Sequence, residues 1–378
     1  MTNSGRESLE AAREFANGYV KQNAAGWELS RSMPREFFLA ASDAGLCGLL
    51  VPPEQGGKGI GFSTFVQIVE TLAYVDFAST FALIVHNNHV RAIGTSGTAS
   101  QVNKWLPEMI AGRMIGAFLL TEPQGGSDAA AIATVAVADG DGFVLNGEKA
   151  WVTNSSHADL LNVFAQTNRD SGANGIASFQ VPSDSRGVTR IPAYDMLGGY
   201  AFGAGGFRFE NVRVEADQLL VPSGQGFRSA MSGIDIARTV VSAMCCGMLQ
   251  SGIDCVMPRL LKRRAFGRPL SEQQGLQWQI ADVATDLHAS RLMALDAARL
   301  IDQDGAARIE AAHAKKFATR AALGGISACM QAMGADGLKQ EYPLARHLVA
   351  ARIAQFLDGT TEIQNVVISR KLQEKYKD

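Results

Sequence analysis

Apolar residues recur three and four positions apart at the start of the chain, where Leu9, Ala12, Ala16, Tyr19 and Val20 share one helical face. Pro34 can open a second helix without losing a backbone hydrogen bond; Phe37, Phe38 and Ala41 follow on one side, and Gly45 ends the run. Residues 51–61 are rich in Gly and Pro and match neither GxGxxG nor the Walker pattern, so they read as a connector. Helical spacing returns over 64–74 and again around 101–110.

Near residue 116 the pattern shortens to β-type runs at 133–138, 142–145, 150–153, 160–165, 176–181 and 206–209. Asn146-Gly147 between two of them predicts a type I′ hairpin turn. From about Gly226 onward, alanine-rich helical patterns occupy 227–264, 272–303, 306–333 and 343–356, and a last helix runs to about Tyr376. Thr361 with Gln364 three residues later predicts a capping box for that helix. The expected class is α+β, in three blocks packed as one unit. An all-α domain spans 1–115, a middle antiparallel β domain (a barrel or sandwich) spans 116–224, and a helical bundle spans 225–378.

Composition narrows the function classes. Of 378 residues, 47% are hydrophobic and 19% charged, as in globular proteins. Lys+Arg of 35 against Asp+Glu of 37 gives a net charge of −2, which supplies no basic field for nucleic acid. Five cysteines without CxxC spacing predict reduced thiols and no metal site. No charged-then-apolar leader is visible at the N-terminus, and the greasiest stretch, 239–253, is too short and interrupted to span a bilayer. A soluble, cytoplasmic protein is expected.

Several segments can carry chemistry. In TEPQGGSD at 121–128, glycines let backbone N–H groups approach a ligand, and Thr121 and Ser127 add hydroxyls; an ordinary turn has the same composition. Trp151 and Thr153 share one side of a strand, where a ring beside a hydroxyl can bracket a flat cofactor or simply pack in a core. The cluster Lys262, Arg263, Arg264 and Arg268 suits a pyrophosphate or a solvated helix end. Asp235 and Arg238, three apart, form at least a local ion pair. Asp358, beside Gly359 and between apolar flanks, can have its pKa raised as a general base needs, while the following helix N-terminus favours the anion.

Taken together, the order and spacing of TEPQGGSD (121–128), LNGEKAWVTN (145–154), RRAFGRPL (263–270), QAMGADG (331–337) and LDGTTEIQ (357–364) resemble the acyl-CoA dehydrogenase family across essentially the whole chain. The resemblance implies a C-terminal four-helix bundle, one FAD between the β domain and that bundle, and a homo-oligomer, usually a tetramer, whose neighbouring subunit completes the site. It implies that Phe118, Leu120, Thr121 and Thr153 line the flavin ring, with Trp151 beside it. Gly126 would belong to the cofactor site, and Ser127 would reach the FAD pyrophosphate or the thioester. Arg263, Phe266, Gln274 and Gln331 would hold the adenosine and pyrophosphate across the subunit boundary, and Thr360 and Glu362 would touch FAD after the catalytic loop. Asp235, Arg238 and Gly359 fall on the substrate side, and Asp358 is the matched base. The implied reaction is α,β-dehydrogenation of an acyl thioester, carried by CoA or by acyl carrier protein, with electrons passed to electron-transfer flavoprotein.

One position departs from the family pattern. The usual base in this loop is Glu, and Asp358 is one methylene shorter, a loss of about 1.5 Å of reach. Some relatives carry a Glu directly before the helix arginine, but that position here is Ala237. Ala335 also replaces a common Gly. Three readings of Asp358 follow: dehydrogenation of an unusual acyl group, a nitroalkane-oxidase-like reaction, which uses an Asp base, or a non-catalytic flavin-binding module. His86 and His89 receive no role.

Overall fold

A computed structural model describes residues 2–377. The N-terminal region is helical: α1 (Asn3–Phe15), a π-helical segment (Ala16–Val20), α2 (Lys21–Ser30), α3 (Glu36–Asp43), α4 (Phe62–Val75), α5 (Phe77–Ser96) and α6 (Ala99–Ile110). Helix α5 has no counterpart among the sequence expectations. Every residue from Phe77 to Ile84 is buried, so no apolar stripe of helical period stands out from a polar background. Its start is nonetheless marked, because the Asp76 carboxylate accepts hydrogen bonds from Ser79 N (2.8 Å) and Ser79 Oγ (2.7 Å).

The middle region holds an eight-stranded sheet. Its strands are β1 (Gly116–Leu119), β2 (Val135–Asp139), β3 (Gly142–Val152), β4 (Leu160–Gln166), β5 (Ile176–Pro182), β6 (Val188–Ile191), β7 (Gly205–Val214) and β8 (Leu219–Val221). They lie in the order β6-β7-β3-β2-β4-β5-β8, with β1 beside β4. Neighbours pair antiparallel, except that β1 runs parallel to β4 and β2 touches β4 in parallel at Val135–Gln166. The β1–β4 register sets Phe118 beside Asn162, an arrangement that matters for the site.

Asn146-Gly147 is not a hairpin turn; it lies inside β3, where the pairing with β7 slips by a residue. Asn146 Oδ1 accepts from Asn211 N at 2.8 Å, and Gly147 has φ 148°. A Cβ there would stand 2.5 Å from Thr134 Oγ1, so the glycine serves a β-bulge with a close approach. The turn itself falls at Gly140-Asp141, closing the pair Asp139–Gly142.

Five helices complete the chain: α7 (Gly226–Lys262), α8 (Gln274–Asp304), α9 (Arg308–Met333), α10 (Leu344–Ala354) and α11 (Thr361–Lys375). A two-residue ribbon, β9 (Arg264–Ala265) and β10 (Arg268–Pro269), joins α7 to α8. Helix α7 is long and apolar enough to cross a bilayer, unlike the shorter stretch read from sequence, but 72% of its most apolar window is buried inside the fold. It crosses α4 backbone to backbone: a Cβ on Gly247 would sit 2.3 Å from Glu70 O. The N-terminal helices and the bundle therefore share one core, while the sheet has its own. Leu120, Phe164, Ile176 and Ala230 tie the sheet to α7.

The cap of α11 is Thr360, not Thr361: its hydroxyl accepts from Ile363 N (3.5 Å). Gln364 completes no capping box; its amide donates to Gly359 O at 2.9 Å and to Thr360 O at 3.4 Å. Among the described residues, all five cysteines are free thiols.

Candidate active site

The loop between α10 and α11 carries two consecutive left-handed residues, Asp358 (φ 50°) and Gly359 (φ 90°). Glycine tolerates this freely, and Asp is among the side chains that tolerate it best. Three helices hold the loop carbonyls. Arg238 Nε on α7 donates to Asp358 O (3.1 Å), Lys315 Nζ on α9 donates to Gly359 O (2.9 Å), and Gln364 Nε2 on α11 donates to the same Gly359 oxygen. Arg238 is itself paired with Asp235 at 2.7 Å, one turn earlier on α7. The backbone is thus fixed while the Asp358 carboxylate remains free, with Oδ2 shielded from solvent and without a partner.

That carboxylate borders a cavity of about 230 Å³. Helix α5 forms one wall through Phe81, Ile84, Val85, Asn88, His89 and Arg91. Helix α7 forms another through Ser229, Ile234, Ala237 and Val240, and the sheet contributes Phe118, Asn162 and Phe164. At Ala237, where some relatives carry a base, the wall presents only a methyl group. Burial pushes the Asp358 carboxyl up to about 6, against the opposing pull of Lys315 and Arg238. Burial likewise brings the Lys315 ammonium down to about 8, opposed chiefly by the charge of Asp358.

From Phe118 the chain leads along β1 through buried Leu120 to Thr121, whose carbonyl accepts from Ala150 N at 3.0 Å. This bond sets the 121–128 segment beside Trp151 and Thr153. Beneath it lies a buried ion pair that sequence reading missed: Lys149 Nζ meets Glu122 Oε1 at 2.7 Å. The Glu122 carboxylate also accepts from Ala133 N and Thr134 N, and Lys149 donates to Leu120 O. Burial alone would raise Glu122, but Lys149 and these bonds bring it down to about 2. Gly126 and Ser127 are exposed beyond this anchor. Trp151 is 61% exposed with φ 57°, its ring 4.6 Å from that of Tyr194, and Thr153 is buried. The uncovered indole, the adjacent hydroxyl and the open glycine loop have the shape and polarity a flat, phosphate-bearing cofactor needs.

The remaining predicted positions stand apart from the cavity of this subunit. Arg263 and Phe266 lie at the β9–β10 ribbon, with Phe266 97% exposed and left-handed; Gln274 is exposed at the start of α8 and Gln331 near the end of α9. Thr360 is half-buried at its cap, and Glu362 is exposed on α11. The α5 wall and Lys315 escaped sequence reading. The Asp76 cap was the available signal for α5, whereas a lysine in an alanine-rich helix carries none.

Comparison with known proteins agrees with this layout. The acyl-CoA dehydrogenase N-terminal domain matches residues 2–113, the middle domain 117–212 and the C-terminal domain 224–373. The short-chain specific acyl-CoA dehydrogenase of Bos taurus mitochondria is 35% identical over 370 residues, covering 97% of this chain and 90% of that protein. Butyryl-CoA dehydrogenase from Megasphaera elsdenii superposes with a TM-score of 0.94 at 28% identity, over 98% of both chains. Glutaryl-CoA dehydrogenase from Mycobacterium smegmatis, solved in complex with FADH2, gives 0.93 at 27% identity, over 99% of this chain and 95% of its own. With three domains matched in order and a relative this similar along nearly its whole length, the chain belongs to the acyl-CoA dehydrogenase family.

Proposed function

We propose that the protein is an FAD-dependent dehydrogenase of acyl thioesters in which Asp358 removes the α-proton. The observation that carries this reading is the free carboxylate oxygen of Asp358, buried at the cavity and held on a loop whose carbonyls are already bonded. When bound, FAD supplies the acceptor for the β-hydrogen, which leaves as hydride. The exposed ring of Trp151, Thr121, Thr153 and the 121–128 loop would hold it on the sheet side, with Phe118 and Leu120 at its edge. Arg263, Phe266, Gln274 and Gln331 face outward, as residues reaching a neighbouring subunit's cofactor must.

The chain's own work is then to orient the thioester and accept one proton. Asp358 Oδ2 takes the α-proton, and the Asp358 backbone N–H is the donor assigned to the thioester oxygen, where negative charge develops. Phe81, Ile84 and Val85 of α5 and Ile234, Ala237 and Val240 of α7 exclude water around the acyl group, which strengthens both interactions. Asp in place of Glu shortens the reach by about 1.5 Å, so the α-carbon must come closer to the loop. A short or compact acyl group, branched or alicyclic, fits this demand and the cavity of about 230 Å³. CoA and acyl carrier protein share the pantetheine arm, and electron-transfer flavoprotein is the proposed acceptor.

Anaerobic bleaching of the bound flavin tests the reading. The panel holds straight, branched and alicyclic acyl-CoAs, carrier-protein thioesters and a nitroalkane. Bleaching by one thioester class is the expected result and names the acyl group. Bleaching by the nitroalkane alone would replace the dehydrogenase with an oxidase, and a flavin that no compound reduces would leave a binding module.

A further inference from the structure

We propose that Lys315 is a positioning residue for the base: its ammonium holds the 355–359 backbone from the α9 side and, with Arg238, clamps the loop that presents Asp358 to the cavity. This rests on reading Asp358 as the base. Lys315 is fully buried, yet among the described residues its ammonium donates to backbone carbonyls and to no carboxylate. Its hydrogen bonds go to the catalytic loop, to Gly359 O at 2.9 Å and Gln355 O at 3.4 Å. The neighbouring α9 positions Ala311, Ala312, Ala314 and Ala318 are buried and small, so an apolar side chain could continue that surface without desolvating a charge. A cation kept in such a place serves the groups it touches.

The surrounding charges make Lys315 the stronger member of the clamp. On α7, Arg238 is in contact with Asp235 at 2.7 Å, which offsets much of its charge, and Arg308 of α9 acts on both. Also on α7, the Cys245 thiol, pushed up to about 12 by burial, stays neutral. On α11, Glu362 is exposed and acts on Lys315 only from a distance. Of the groups lowering the Asp358 carboxyl against burial, Lys315 acts most strongly and Arg238 next. Without the ammonium, burial acts with less opposition, so Asp358 ionises at higher pH.

Lys315→Gln removes the charge while leaving an amide donor, one bond shorter, on the Gly359 O side of the loop. In FAD-loaded protein, the pH midpoint for flavin bleaching by the thioester that reduces the wild type should rise by about 1–3 units. Lys315→Arg should restore it. A readout without turnover is the infrared band of the protonated Asp358 carboxyl in substrate-free protein, identified by its absence in Asp358→Asn; its titration should move in step. A properly folded Lys315→Gln whose two midpoints match the wild type overturns the proposal. If that variant does not fold, Lys315→Met, of similar length and without charge, takes its place: a raised infrared midpoint supports the clamp, and a midpoint equal to the wild type's refutes it. Bleaching that survives in Asp358→Asn would instead defeat the underlying assignment of the base.

Discussion

A carboxylate serves as a base only when ionised, and at Asp358 burial and two cations pull that equilibrium in opposite directions. With its carboxyl raised to about 6, the group is protonated below that pH and available above it. Flavin reduction should therefore rise as pH increases through about 6 and level off beyond, in stopped-flow traces under anaerobic conditions. Asp358→Asn should retain FAD while losing about 10²–10⁴-fold in reduction rate, the usual worth of a general base. Asp358→Glu tests reach: the added methylene should change which acyl groups bleach the flavin more than it changes the melting temperature. Unchanged preference would show that side-chain length does not select the substrate.

At the scale of elements, the site depends on how strands and helices are tied. The Glu122–Lys149 pair joins the end of β1 to β3 beneath the glycine loop, and its buried acceptors and donors are met from several sides. Lys149→Met leaves the Glu122 carboxylate buried without its cation and should cost about 3–5 kcal/mol. Denaturant melts would register this, and adding Glu122→Leu should recover part of the loss. Were the single variant as stable as the wild type, the pair would not be what anchors this loop.

For the whole molecule, the notable feature is how much aromatic surface a single subunit leaves uncovered at the α7–α8 end. Phe266 is 97% exposed and Trp278 63%, far more than a solitary globular subunit needs. Self-association would cover them, as the family resemblance implies. Trp278→Asp should shift the protein to smaller species in sedimentation velocity. If assembly brings Arg263 and Phe266 to a neighbour's cofactor, FAD affinity should fall along with it. A variant that dissociates without losing FAD would place the whole cofactor site within one subunit.

Short-range patterns along the chain encode a definite part of this protein. Helical periodicity in α7 through α9, the β-type runs within β2 to β5 and β7, and the loop motifs were legible because each depends on spacing along the chain, whereas the short strands β1, β6 and β8 carry too few residues to show a period. The family was legible for the same reason, since its motifs are local strings in a set order. The rest depends on packing between distant segments. Helix α5 forms a cavity wall yet is buried on every side over its first two turns, polar Ser79 and Thr80 included, so period could not reveal it. Asn146-Gly147 has a turn's composition but lies in a bulge, because pairing with β7 overrides the local preference. Lys315 acquires its place from residues some forty positions downstream, through carbonyls that only the folded loop brings into reach. The charge environment of Asp358 is likewise a property of three packed helices, since burial and proximity are set by packing and not by order along the chain.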